Sequence, residues 1–283
     1  MDNPLFSVLI ANYNNGKYLQ EAIDSVLAQA YSNWEIVMVD DGSTDQSPTI
    51  YDKYKDDERF HVFYNGENKG CGYTKRRCVE LANGAICGFL DPDDVLLPEA
   101  LEQSVGIMCA HPSSVLCFSR FYYCDENLKA FGESRLLQLH EGESYLDHGD
   151  YGPEHFVSFR RDAYMKTDGI NPVLKAGVDQ ELYFRLEEVG NIIILDKITY
   201  KYRINKSSIS TDSDYALFWN MKIRFDACER RGVTIDKNHA TYLYFKKRLE
   251  KYERRGAESV RKTKAFRLGK KLLKPLMWLK GEK

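Results

Sequence analysis

The chain has 283 residues, 43% of them hydrophobic and 29% charged, with 40 Lys and Arg against 42 Asp and Glu for a formal net charge of −2. That length can bury a full core and sits at the upper end for one domain, so one large domain with an appendage is expected. No run of about 18 apolar residues occurs, and MDNPLFSVLIANYNNGKYL has neither a basic leader nor a small-residue cleavage site, which predicts a cytosolic chain that is not threaded through a membrane.

Seven cysteines lie mostly inside apolar runs without a CxxC pair, and they read as reduced core residues. The six histidines show no HxxxH or HExxH spacing, so a metal would have to sit on oxygen. Charge is divided unevenly: residues 246–283 hold 15 Lys and Arg against 4 Asp and Glu, and the rest of the chain is acidic.

Phe6 to Ala11 is an apolar, partly β-branched run followed by the turn formers NYNNG, which predicts a buried strand and a loop. Leu19, Ile23, Val26 and Leu27 share one helical face over Tyr18 to Gln29, and Trp34 to Val39 returns to a strand before DDGSTD. The alternation continues with a helix over Ser47 to Lys55, a strand over Phe60 to Tyr64, a helix over Gly72 to Ala82 and a strand over Ile86 to Leu90 that runs into DPDD. This order predicts an α/β fold, with right-handed crossovers and a mostly parallel sheet flanked by helices. Ligands then bind beyond the carboxyl ends of the strands, where NYNNG, DDGSTD and DPDD all fall.

After Pro98 a helix to about His111 and a strand over Val115 to Tyr123 are expected, then a long connection over 125–154. Further strands are predicted over Phe156 to Phe159, Asn191 to Leu195 and Ile198 to Arg203. Short helices fall over Arg160 to Lys166 and Asp179 to Glu188, and the chain is helical from Asp212. Over 264–280, KAFRLGKKLLKPLMWLK resolves into an apolar face and a basic face, the pattern of a helix lying on an anionic membrane surface or packed on protein; nucleic acid is disfavoured by the acidic body.

The polar clusters carry the chemistry. Ser43, Thr44 or Asp45 can cap a helix, but Asp40 and Asp41 repel each other unless donors or cations face them. Asp91, Asp93 and Asp94 can hold Mg or Mn through hard oxygen ligands, leaving positions for phosphate oxygens. No GxxxxGK[ST] occurs and no GxGxxG follows a strand, so a bound nucleotide would depend on the metal and on basic groups among Lys69, Lys75, Arg76 and Arg77.

The series FSVLIANYNNGKYLQEAIDSVLAQAYSNWEIVMVDDGSTD, ENKGCGYTKRR and GFLDPDD closely resembles the family 2 glycosyltransferases of the GT-A fold over roughly residues 5–100. FVSFRRDAYMKTDGINPVLKAGVDQELYFRL resembles the acceptor-side half of the same family, less tightly. The resemblance implies a GT-A domain over 1–211, with a nucleotide half to about residue 98 and an acceptor half from 99. A helical region with the basic tail follows over 212–283.

It also implies roles for individual residues. Ala11 and Tyr13 match the nucleobase pocket, and Asp41 the carboxylate that accepts from the base edge, as uracil would allow. Asp91 and Asp93 match a DxD pair, the first near the ribose and the second a ligand of Mn or Mg on the diphosphate, with Asp94 in support. Asp179 matches the catalytic base of inverting members, or else caps its helix. Arg203 lies where it could meet the diphosphate.

Departures from the family pattern are Ala11 in place of Thr or Ser, Val178 where many relatives are acidic, and Asn205 at the His of HxxS. The absence of QxxRW favours transfer of a single sugar. The implied activity moves one sugar from a nucleotide-sugar donor, a UDP-sugar, to a saccharide or lipid-linked acceptor; the charge and amphipathicity of the tail suit an acceptor in surface polysaccharide or glycolipid assembly at the inner face of the cell membrane. Nucleotidyl transfer to sugar phosphates and a non-enzymatic nucleotide-binding scaffold are the alternatives; NYNNG, where a Gly-rich loop would stand, argues against the first.

Overall fold

The structure, a computed structural model, describes residues 3–137, 139–140, 142–148, 152–205, 213–236, 238–254, 267–269 and 271. Nearly all of the amphipathic tail expected over 264–280, and the stretch after Asn205, lie outside the described residues.

The first half follows the predicted alternation: β1 (Phe6–Asn12), α1 (Leu19–Leu27), β2 (Trp34–Asp40), α2 (Ser47–Tyr51), β3 (Phe60–Tyr64), α3 (Cys71–Leu81) and β4 (Ile86–Phe89). The second half adds β5 (Val95–Leu96), α4 (Ala100–Ala110), β6 (Ser114–Cys124), β7 (Ala130–Glu133), β8 (Val157–Arg160), α5 (Arg161–Tyr164), α6 (Val178–Glu187), β9 (Asn191–Arg203), α7 (Ser213–Arg230) and α8 (Ala240–Arg254).

The strands form one sheet in the order β3-β2-β1-β4-β8-β6-β9-β5, with β7 hydrogen-bonded to β6. Pairing is parallel from β3 to β4 and between β6 and β9; β8, β7 and β5 join antiparallel. The sheet is thus parallel through the first half and mixed in the second.

Alternation along β1 and β2 divides the interior into two cores. Val8, Ile10, Ile36 and Met38 face α1, whose Leu19, Ala22, Ile23 and Val26 recur at helical spacing and are all buried. Leu9, Val37 and Val39 face the other core, where Cys78 and Val79 of α3 meet Leu182 and Leu186 of α6 and Ile223, Ala227 and Cys228 of α7. The predicted helical region therefore supplies part of the main core.

The cysteines are all free thiols, five of them buried. Among the described residues no helix is long and apolar enough to cross a membrane.

Candidate active site

Asn12 at the end of β1 pairs in register with Asp40 at the end of β2, so the loops after both strands open on one edge of the sheet. Ala11, half-buried, packs on the core that α3 shares with α6 and α7, and Tyr13 just beyond leaves the strand with 46% of its surface exposed. The Asp41 amide donates to the Asn12 carbonyl at 2.8 Å, which fixes the two loops together.

The adjacent aspartates avoid mutual repulsion by serving different turns. Asp40 accepts from the Gly42 and Ser43 amides at 3.0 and 2.9 Å and from the Tyr51 hydroxyl at 2.5 Å. Burial, then the Asp40 carboxylate, raises the Tyr51 pKa, so that phenol stays a donor. Asp41 accepts from Asn65 Nδ2 at 2.7 Å and from the amides of Lys69 and Gly70, both at 2.8 Å, and so shapes the turn that starts α3. Lys69 contributes its amide there; its ammonium pairs with Glu67 at the surface. Gly70 has φ +93, a backbone conformation that calls for glycine.

Lys75 joins the two halves. Its ammonium, with a side chain only 6% exposed, lies 3.1 Å from Asp91 Oδ1 and 2.7 Å from Asp179 Oδ1, and 4.9 Å above the Phe89 ring. Burial opposes its charge, but Asp179 and Asp91 outweigh burial and raise the lysine pKa well above its usual value. For Asp91 burial likewise acts upward, and Lys75 and then His155 hold the carboxylate below its ordinary range. Asp179 sits in the first turn of α6, where the helix start favours a negative charge. Gly177, not Asp179, is the N-cap, and the aspartate side chain is turned to Lys75.

In the DPDD loop each aspartate has a different environment. Asp93 is half-buried and accepts from Asn205 Nδ2 at 2.8 Å; burial and then Asp91 raise its pKa. Asp94, 1% exposed, accepts from the Tyr200 hydroxyl at 2.8 Å and the Arg203 amide at 2.7 Å, and burial with its acidic neighbours raises it well above the usual range. Asp94 thereby pins the loop to β9.

Arg203 is only 2% exposed, and each of its three guanidinium nitrogens donates within the protein: Nε to the Asp93 carbonyl at 2.6 Å, the others to the Glu126 carbonyl and the Glu21 carboxylate. Its guanidinium also lies 4.3 Å from the centre of the Tyr18 ring. In this geometry the guanidinium braces the DPDD backbone against α1.

His155 is the residue that the sequence reading missed. It is sandwiched between Tyr200 and Tyr202, each at 5.0 Å between ring centres with interplanar angles of 10° and 14°. One ligand atom each from Asp91, Asp94 and His155 lie within 4.8 Å of one another, a donor set of two carboxylates and an imidazole that fits a divalent cation of the Mn or Mg kind. Asp93, the ligand expected from the sequence, stands outside this group. An isolated His after a connection of weak periodicity carries no spacing signal; only β8 lying beside β4 brings it to the DPDD loop.

A family model described as "Glycosyl transferase family 2" matches residues 7–167. Chondroitin synthase of Escherichia coli is 29% identical over 206 residues, which are 70% of this chain and 28% of that protein. The chain thus matches just over a quarter of that relative's length. Among solved structures, Staphylococcus aureus TarS residues 1–349 in complex with UDP-GlcNAc is similar with a TM-score of 0.67 and 22% identity, covering 83% of this chain and 69% of that one. The mannosyltransferase PcManGT of Pyrobaculum calidifontis, in complex with GDP-Man and Mn2+, aligns with a TM-score of 0.64 and 14% identity over 98% of this chain and 83% of its own. The folds agree in the GT-A arrangement of a curled sheet flanked by helices, and the match over residues 7–167 makes this chain a member of glycosyl transferase family 2.

Proposed function

We propose that the chain is an inverting, non-processive glycosyltransferase that moves one sugar from a UDP-sugar to a hydroxyl of a saccharide or lipid-linked acceptor. The observation that carries this reading is Lys75 held between Asp91 of the donor loop and Asp179 of the acceptor-side helix, which brings both carboxylates into one crevice. Tyr13, exposed at the sheet edge, offers a ring for the base, beside Ala11 and the turn ordered by Asp41.

Asp179 takes the proton of the acceptor hydroxyl as that oxygen attacks the anomeric carbon, and the bond from that carbon to the phosphate oxygen breaks on the opposite face. An α-linked donor then gives a β-linked product. Lys75 holds Asp179 in position before the acceptor arrives. Asp91, Asp94 and His155, with Asp93 alongside, would hold a Mn or Mg ion, which when bound neutralises charge on the departing nucleoside diphosphate. Residues to about 98 bind donor and residues 99–211 shape the acceptor side. The basic tail contacts anionic lipid at the inner face of the membrane, in surface polysaccharide or glycolipid assembly. Full-length and tail-deleted chains sedimented with phosphatidylglycerol vesicles test that last step.

A panel of nucleotide sugars, scored for hydrolysis and thermal stabilisation with Mn or Mg, tests the donor reading. Asp179→Asn should lower transfer by about 10²- to 10⁴-fold and leave UDP-dependent stabilisation in place. Absence of any stabilisation or turnover across the panel would overturn the reading, and full transfer by the Asn variant would remove Asp179 as the base.

A further inference from the structure

β6 and β9 pair with Phe121 opposite Tyr200 and Tyr123 opposite Tyr202, so their aromatic side chains line one face, and β7 brings Phe131 to its rim. The contacts form a ladder. His155 lies between Tyr200 and Tyr202; Tyr202 meets Tyr123 at 6.4 Å and 80°; Tyr123 stacks with Phe131 at 6.5 Å and 26°.

Phe121, 2% exposed, touches His155, Tyr123 and Tyr202 edge-on and fixes their spacing. Gly132, opposite Tyr123 on β7, puts no side chain over that ring. The inner end of the ladder is His155, grouped with Asp91 and Asp94 and close enough to Asp179 to feel its charge. The outer end is Phe131, 65% exposed.

Rings used only for packing would not need a row that runs from beside Asp91 and Asp94 to an exposed phenylalanine. Sugar rings present C–H faces that lie on aromatic rings and a rim of hydroxyls that needs polar partners. Here the phenol of Tyr123 and the exposed Glu154 carboxylate, whose charge adds to burial in raising the Tyr123 pKa, supply those partners.

We propose that the ladder from His155 to Phe131 is a subsite for an oligosaccharide acceptor, carrying the sugar units that lie beyond the reacting hydroxyl. The inference rests on the glycosyltransferase reading above and narrows its acceptor from any hydroxyl to a chain of sugars. Continuity with Asp179 selects a saccharide as the occupant, because the acceptor that presents a hydroxyl there has to leave the crevice over this face.

The test uses the full chain, labelled, on an array of immobilised neutral and acidic mono- to hexasaccharides, with UDP and MnCl2 present. Retention on at least one oligosaccharide of three or more units is expected. Phe131→Ala should weaken it about five- to tenfold, and Phe131→Trp should restore it. Retention of no oligosaccharide, retention that does not depend on sugar length, or equal retention by the Ala variant would each overturn the proposal. Thermal stabilisation by UDP, measured on the same preparations, shows that each variant is folded and separates the outcomes: if it is absent from the wild type, the donor reading fails. If it is present beside a blank array, only the acceptor subsite fails.

Discussion

Replacing Lys75 with methionine keeps most of its volume and removes the one charge shared by Asp91 and Asp179. Breaking a fully buried ion pair on one side costs about 3–5 kcal/mol. Here the carboxylate side chains remain 29% and 31% exposed, and water screens part of the loss, which brings the expectation to roughly 2 kcal/mol. For a chain of this size that corresponds to a Tm lower by about 5 °C at pH 7.

The pH dependence gives the sharper test. In the wild type Asp91 lies below its ordinary pKa, so its contribution is present above about pH 4 and is lost as pH falls through the depressed value. Without Lys75, burial, the largest influence on Asp91, is opposed only by His155 and moves the carboxylate above its unfolded value. The penalty is then present at neutral pH and eases as protonation sets in. Scanning calorimetry from pH 7 to pH 4 should therefore show the gap between variant and wild type narrowing. A gap below about 1 °C at pH 7, or one that widens on acidification, would refute the assignment of Lys75 as the counter-ion of both carboxylates.

Other outcomes follow from the same geometry. Arg203→Ala leaves the Glu21 carboxylate and the Asp93 and Glu126 carbonyls without their donor, and should lower stability by about 3 kcal/mol. Because the lost contact holds the Asp93 backbone, Mn2+ affinity measured by electron paramagnetic resonance should fall as well; unchanged affinity in a folded variant would separate the brace from the metal loop. Tyr51→Phe removes a donor from buried Asp40 while its two amide partners remain, a cost of about 1.5–3 kcal/mol in urea unfolding.

The first half of the fold was legible because β1, β2 and β4 are buried on both faces and α1 carries one apolar stripe, so pattern and partner agree. β5 was missed because two residues, Val95 and Leu96, have no period. β9 was divided in two by Asp196 and Lys197, where the polar pair marks an irregularity in pairing to β6 and not a turn. In the site, Asp91 and Asp179 could be read from motifs. Their link through Lys75 could not, because charged residues along a helix look alike until the fold turns one of them inward. Arg203 shows the converse: its position beside the loop was readable, but a guanidinium bonded on every nitrogen is a property of three segments brought together, as is the enclosure of His155 by two tyrosines.

β9 has a consequence for how this domain can be cut or recombined. Tyr200 and Arg203 hold Asp94, Arg203 and Asn205 hold Asp93, and all three lie more than a hundred positions downstream of the aspartates. The family match ends at residue 167. A fragment or chimera joined at that boundary keeps every aspartate of the DPDD loop and discards the strand that aims them, so the smallest unit that keeps the loop's shape runs to residue 205, and a graft that stops short transfers the letters of the motif without its shape.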